Sequence, residues 1–112
     1  MRLLLELTAL TRAAIPESMP LLVRIPGNDW MPSSPLNFSP SDAATLSLAL
    51  SDLGADFIDV SSAGLMSEQK IISGPGYQAA FSEMVKKALK ESGRSEKTKV
   101  GIVGMITSGR QA

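Results

Sequence analysis

Apolar residues recur along the chain at two different spacings. In three segments they return every three or four positions, which predicts three helices. Three shorter apolar runs predict strands, and the run at 20–25, which lies between prolines, suits a strand that is buried on both faces. The predicted elements are a helix over 2–14, a strand over 20–25, a helix that begins at 40, a strand over 56–60, a helix over 77–91 and a strand over 99–103.

Each predicted helix has an apolar face that we expect to pack on the sheet. In the first helix this face consists of Leu3, Leu7, Leu10 and Ala14, and in the third of Phe81, Met84, Val85, Ala88 and Leu89. The third helix should turn its lysines to water. Pro16 ends the first helix, because proline cannot continue it.

The second helix has its own start and stop signals. Ser39 can cap its N-terminus, Pro40 suits the first helical position, and Asp42 adds negative charge to the first turn. Gly54 fits just past the C-terminus, where a positive φ is needed. The expected buried stripe is Ala43, Leu46, Leu50 and Leu53.

The order helix, strand, helix, strand, helix, strand predicts an α/β fold. Strands that alternate with helices pair in parallel through right-handed crossovers. We expect one domain over residues 1–112, with three parallel strands. In such folds ligands bind where the carboxyl ends of the strands open into loops. Here those ends lead into a long loop over 26–39, an irregular stretch over 61–76 and a glycine-rich turn over 104–109.

Charge and composition exclude several classes of function. Eleven Lys and Arg balance eleven Asp and Glu, so no excess positive charge favours a nucleic acid or an anionic membrane as partner. The chain has no Cys and no His, which excludes a thiolate nucleophile, a Ser-His-Asp triad and a metal site built from those residues. We expect no metal. Glu6 and Arg12 interrupt the leucine-rich start, so we interpret it as a helix of a cytoplasmic protein and not as a signal peptide.

Two features at the strand ends are candidates for chemistry. Arg24 lies near the carboxyl end of an apolar strand, where it can face an anionic ligand, pair with Asp56 or Asp59, or lie exposed on an edge strand. The turn that begins at Gly104 can offer backbone N–H groups to a phosphate, or it can simply be tight. Ser61, Ser62 and Tyr77 fit local hydrogen bonding and packing, and Trp30 and Phe38 fit side chains that hold the long loop down.

Four segments together resemble the old yellow enzyme family. They are LVRI at 22–25, ADFIDVSSAG at 55–64, GPGYQ at 74–78 and VGMIT at 103–107, and the similarity extends over nearly the whole chain. The resemblance implies part of a (β/α)₈ barrel, with the three strands as its fifth, sixth and seventh. It also implies FMN as cofactor and NAD(P)H as reductant, with hydride transfer through the flavin to an activated alkene such as an enone.

The same resemblance assigns cofactor contacts to three residues. Arg24 matches the arginine that approaches the N1–C2 edge of the flavin, and Gly104 and Met105 match the segment whose backbone helps to hold the FMN phosphate. A preplaced guanidinium would stabilise the negative charge that reduction adds to that edge.

The family's other functional residues have no counterpart here. A complete barrel takes about 250 residues, so this chain corresponds to a fragment without strands one to four and eight. The histidine pair that binds substrate and the tyrosine proton donor belong to the missing part, and we assign no catalytic residue, Tyr77 included. We therefore expect the isolated chain to lack full activity. The alternative is a non-catalytic half-barrel that self-associates through its exposed strand edges and binds phosphate ligands weakly.

Overall fold

Three parallel strands form the centre of the computed structural model, which describes residues 1–62 and 66–111. The strands lie in the order β1-β2-β3, and both neighbouring pairs are parallel. The elements are α1 (Arg2–Ala14), β1 (Leu22–Pro26), α2 (Pro40–Asp52), β2 (Phe57–Ser61), α3 (Ala79–Glu91) and β3 (Lys99–Ile102). The predicted α/β class, element order and parallel pairing are confirmed, and the arrangement is consistent with part of a barrel.

One face of the sheet is covered by helices. Val23, Ile25, Ile58 and Val60 point to that side and are buried in a core with apolar side chains of α2 and α3. Successive side chains of a strand point to opposite faces, so every second residue of β1 is exposed on the other side. The prediction that the strand at 20–25 is buried on both faces is therefore wrong.

The uncovered side is called the open face here. It is formed by the strand residues that alternate with the buried ones, namely Leu22, Arg24 and Pro26 of β1, Phe57, Asp59 and Ser61 of β2, and Lys99 and Gly101 of β3. Leu22 is mostly exposed. In a closed barrel this face would be the interior, where side chains of opposite strands meet.

The predicted apolar face of α1 is exposed. Leu3, Leu7 and Leu10 are 71%, 50% and 67% accessible, and the buried residue of the helix is Thr8. The helix packs on the core through Leu4 and Leu5, which belong to a different face. Among the described residues no element covers the leucine face.

The capping signals of α2 are confirmed. Ser39 and Asp42 form a capping box, in which the serine side chain accepts from the backbone of Asp42 and the aspartate accepts from the backbone of Ser39. Pro40 occupies the first turn, and Gly54 follows the helix with φ +90°.

The buried stripes of α2 and α3 agree with the prediction except at their margins. Ala43, Leu46 and Leu50 are buried in α2, as are Phe81, Val85 and Leu89 in α3. Leu53 and Ala88 are only half-buried, and Met84 is exposed. None of the helices in the described part of the chain is long and apolar enough to cross a membrane.

Candidate functional site

Arg24 lies on the open face near the carboxyl end of β1 and forms an ion pair. Its neighbour across the sheet is Asp59 of β2. Its Nε donates to Asp59 Oδ2 at 2.6 Å, and its Nη2 lies 2.6 Å from the same oxygen. Of the alternatives that the sequence left open, the structure shows the arginine both paired with Asp59 and exposed on an edge strand.

The ion pair leaves part of the guanidinium accessible. The Arg24 side chain is 66% exposed, whereas that of Asp59 is 19% exposed. Nη1 has no hydrogen-bond partner among the described residues. The carboxylate is therefore the shielded end of the pair, and the arginine can still donate to a ligand.

A shallow cavity of about 210 Å³ adjoins Arg24 at the carboxyl ends of β1 and β2. Polar side chains from both strand ends and from the following loops contribute to it. The lining residues are Arg24, Ile25, Pro26, Asp29, Ser61, Ser62 and Gln69. This is the edge at which α/β folds bind ligands.

The turn after β3 presents unpaired backbone groups at the same edge. Gly104 and Met105 both have positive φ, +115° and +53°. Within the described ranges, the backbone N–H groups of these two residues donate to no other residue. Successive free N–H groups in a turn form a site suited to an anion such as a phosphate.

Gly104 is also required by its own surroundings. A Cβ at this position would lie 2.6 Å from Gln78 Nε2 and 2.8 Å from Tyr77 Cε1. The backbone N–H of Gly76 donates to the Gly104 carbonyl at 3.1 Å. The glycine therefore lets the turn pack against the start of α3, whether or not an anion binds.

Gln78 is a site residue that the sequence analysis missed. It is 2% exposed, its Nε2 donates to the Val103 carbonyl at 3.0 Å, and its buried Oε1 has no partner in the described part of the chain. It thereby supports the strand end that leads into the 104–105 turn. In the sequence, a polar residue at the start of a helix looks like an ordinary cap. The pattern therefore gave no sign that Gln78 bonds to a residue 25 positions away.

Trp30 fixes the long loop to the sheet, as expected. Its indole Nε1 donates to Ser62 Oγ at 2.9 Å, and its ring meets Phe81 edge-on at 5.4 Å. Phe38 is partly buried against the core. The Tyr77 ring packs 6.3 Å from Trp30, which agrees with its predicted packing role. Residues 63 and 64 of the ADFIDVSSAG run lie outside the described residues.

The site has no constellation for metal or triad chemistry. Within residues 1–62 and 66–111, no group of three or more acidic side chains is arranged to hold a metal ion. The features at the carboxyl edge are instead one paired but accessible cation and two free backbone donors. The fold and site thus define a parallel α/β protein with an accessible arginine and two backbone N–H groups without partners among the described residues at the ends of its strands.

Comparison with known proteins finds relatives that match most of this chain. The chain is 33% identical over 120 residues to NADH:flavin oxidoreductase FG08077 of Gibberella zeae, an alignment that covers 99% of this chain and 28% of the relative. It is 37% identical over 93 residues to NADPH dehydrogenases of Geobacillus sp. and Bacillus pumilus, with 83% of this chain and 24% of each relative covered. No family model matches the chain.

These relatives confirm the resemblance found in the sequence. Its curated relatives are NADH:flavin oxidoreductases and NADPH dehydrogenases of the old yellow enzyme family, which match most of this chain at 33–37% identity. It spans about a quarter of the length of the curated relatives that it matches.

Proposed function

We propose that this chain supplies part of the FMN site of an NAD(P)H-dependent oxidoreductase. The observation that carries the proposal is that an accessible guanidinium and two backbone N–H groups, which have no partners among the described residues, lie at the same carboxyl edge of a parallel sheet. A flavin mononucleotide needs both kinds of donor, since it has an electron-accepting ring and a phosphate. The names of the relatives, NADH:flavin oxidoreductase and NADPH dehydrogenase, agree with this chemistry.

In this proposal Arg24 interacts with the pyrimidine edge of the flavin. Negative charge develops on that edge when the ring accepts a hydride, and a fixed cation stabilises it without reorganisation of solvent. Nη1 and the outer side of Nη2 are the groups that remain for the ring, because Nε and the inner side of Nη2 contact Asp59. FMN, when bound, supplies hydride transfer from NAD(P)H to an activated alkene such as an enone.

The backbone of Gly104 and Met105 would bind the phosphate. Two N–H groups without partners among the described residues can donate to a dianion without breaking a hydrogen bond inside the protein. The Met105 side chain is exposed and leaves the backbone approachable. In this assignment β1, β2 and β3 are the fifth, sixth and seventh strands of a (β/α)₈ barrel, with the open face toward its interior, in a cytoplasmic enzyme.

The role of Arg24 can be tested by removing its charge in the 112-residue chain. We expect Arg24→Met to weaken FMN binding about tenfold, as the loss of one charged hydrogen bond does. The dissociation constant can be measured by quenching of flavin fluorescence. Lys70→Met is the matched control, because it removes another exposed cation near the loops. Equal affinities of Arg24→Met and the unaltered chain would contradict the proposal.

A further inference from the structure

We propose that Asp59 is a positioning residue, which orients the Arg24 guanidinium and reduces the positive charge that a bound flavin meets. The inference deepens the proposed function and rests on it. It concerns how the cation of the site is held, and it is carried by the register and the contacts of the open face.

The contacts define the orientation of the guanidinium. Nε and Nη2 of Arg24 both lie 2.6 Å from one oxygen, Asp59 Oδ2. These two nitrogens form one lateral edge of the guanidinium, so Nη1 and the remaining N–H of Nη2 stay available for a ligand. The carboxylate thus holds the guanidinium by one edge and leaves its distal edge accessible.

The neighbours of Asp59 direct its carboxylate toward β1. On the β3 side its register partner is Gly101, and the Phe57 ring occupies the space in which a side chain of Gly101 would lie. On the β1 side its register partner is Arg24. Asp59 is therefore shielded, and its ion pair holds a long side chain that would otherwise sample many rotamers.

The pair also changes the electrostatics of the site. A carboxylate in contact with the guanidinium cancels much of its field at longer range, so a ligand meets an oriented ion pair and not a full cation. Orientation and charge can be separated by substitution. Asp59→Asn keeps a hydrogen-bond acceptor and removes the negative charge, whereas Asp59→Ala removes both.

The two variants should therefore change flavin binding in different ways. With the guanidinium still held, Asp59→Asn should raise the preference for reduced over oxidised FMN about tenfold, because the anionic edge meets an uncompensated cation. With the guanidinium released, Asp59→Ala should weaken binding of both forms about tenfold and leave their ratio unchanged. An aspartate that served only stability would leave the preference for reduced FMN unchanged in both variants.

A second readout needs no flavin. In the free chain, the Nε–H resonance of Arg24 should exchange slowly with water, as expected of a bonded donor, and it should exchange fast in Asp59→Ala. Asp52→Asn is the control. Asp52 forms an ion pair with another arginine, Arg94, away from this edge, so the substitution removes a comparable carboxylate charge. It should leave both the Arg24 resonance and FMN binding unchanged.

The outcomes separate this inference from the proposed function. Fast exchange of Arg24 Nε–H in the unaltered chain overturns the inference and leaves the FMN site open to its own test. Slow exchange with FMN preferences that do not change in Asp59→Asn also overturns it. Slow exchange without FMN binding by any variant contradicts the proposed function, and this inference with it. If Asp59→Ala does not fold, Asp59→Asn decides alone. A purely structural role of Asp59 would not change the ratio of the affinities for reduced and oxidised FMN, whereas the proposed role raises it.

Discussion

At the scale of single residues, Thr98 shows how one side chain joins the helices to the sheet. It is 2% exposed just before β3, and its Oγ1 lies 2.7 Å from Ser51 Oγ in α2 and 2.8 Å from the Ala55 carbonyl. A buried carbonyl that loses its donor pays the cost of desolvation without compensation. Thr98 therefore contributes to stability through buried hydrogen bonds.

Thr98→Val keeps the shape of the side chain and removes these bonds. We expect it to lower the free energy of unfolding by about 1–3 kcal/mol, because the Ala55 carbonyl loses a buried donor. Urea unfolding followed by circular dichroism measures the change. Thr45→Val, on the exposed side of α2, is the control and should change the free energy by no more than about 0.5 kcal/mol. Equal effects of the two substitutions would contradict this role.

Residue-scale pairing was the part of the site that the sequence could not decide. The apolar run around Arg24 placed it near a strand end, and this position is confirmed. Its partner depended on the register between β1 and β2, which are 35 positions apart at Arg24 and Asp59. Asp56 was the other candidate, and it instead accepts from the Leu21 backbone and pairs with Arg12 at the opposite end of the strands.

At the scale of elements, the capping box of α2 is the clearest local structural signal in the sequence. Ser39→Ala removes one acceptor from the first turn and should lower the free energy of unfolding by about 1 kcal/mol. Thermal unfolding of the variant gives the measurement. Ser41→Ala removes an exposed hydroxyl that lies 2.8 Å from Ser39 Oγ but keeps both bonds of the box, so it should cost less than Ser39→Ala. A larger loss in Ser41→Ala than in Ser39→Ala would be inconsistent with the cap.

The C-terminal end of α2 is joined to the loop after α3 by an ion pair that depends on pH. Hydrogen bonds from Arg94 lower the pKa of Asp52 below its ordinary value of 3.8. A carboxylate with a lowered pKa in the folded state stabilises the fold above the pKa of the unfolded chain, and this stabilisation is lost as the pH falls through the folded pKa.

Asp52→Asn should therefore be less stable than the unaltered chain at neutral pH, and the difference should disappear well below pH 3.8. Chemical unfolding at several pH values gives the two stability curves. Hydrogen bonds with the side chain and backbone of Ser39 also lower the pKa of Asp42. Asp42 is present in both proteins, so its contribution to the pH dependence of stability should be the same in each. A difference that grows toward low pH would contradict the assignment.

At the scale of the whole molecule, periodicity predicted the fold class but not which faces are covered. The helical and strand spacings fix the type of each element, and their alternation requires parallel pairing. An apolar stripe indicates that a helix face has an apolar partner, but not that the partner belongs to the same 112 residues. This explains why the leucine face of α1 and one face of the sheet are exposed.

These exposed surfaces lead us to propose self-association of the chain. Leu3, Leu7 and Leu10 form an apolar surface on α1, and β1 and β3 each have one edge without a strand partner in the described sheet. We expect the average mass in sedimentation equilibrium to rise with protein concentration, and Leu7→Glu to reduce that rise. Leu36→Glu is the control, because Leu36 is exposed in the long loop. A constant monomer mass at every concentration would refute this expectation.

The most direct test of the FMN site is a titration of the 112-residue chain with FMN and, separately, with riboflavin. Riboflavin has the same ring but lacks the phosphate, so the comparison isolates the contribution of the 104–105 turn. Flavin fluorescence and visible absorbance report binding. We predict saturable binding with FMN at least about tenfold tighter than riboflavin, the difference expected from charged hydrogen bonds to a phosphate. Equal affinities for the two ligands, or no binding by a folded chain, would contradict the proposed site.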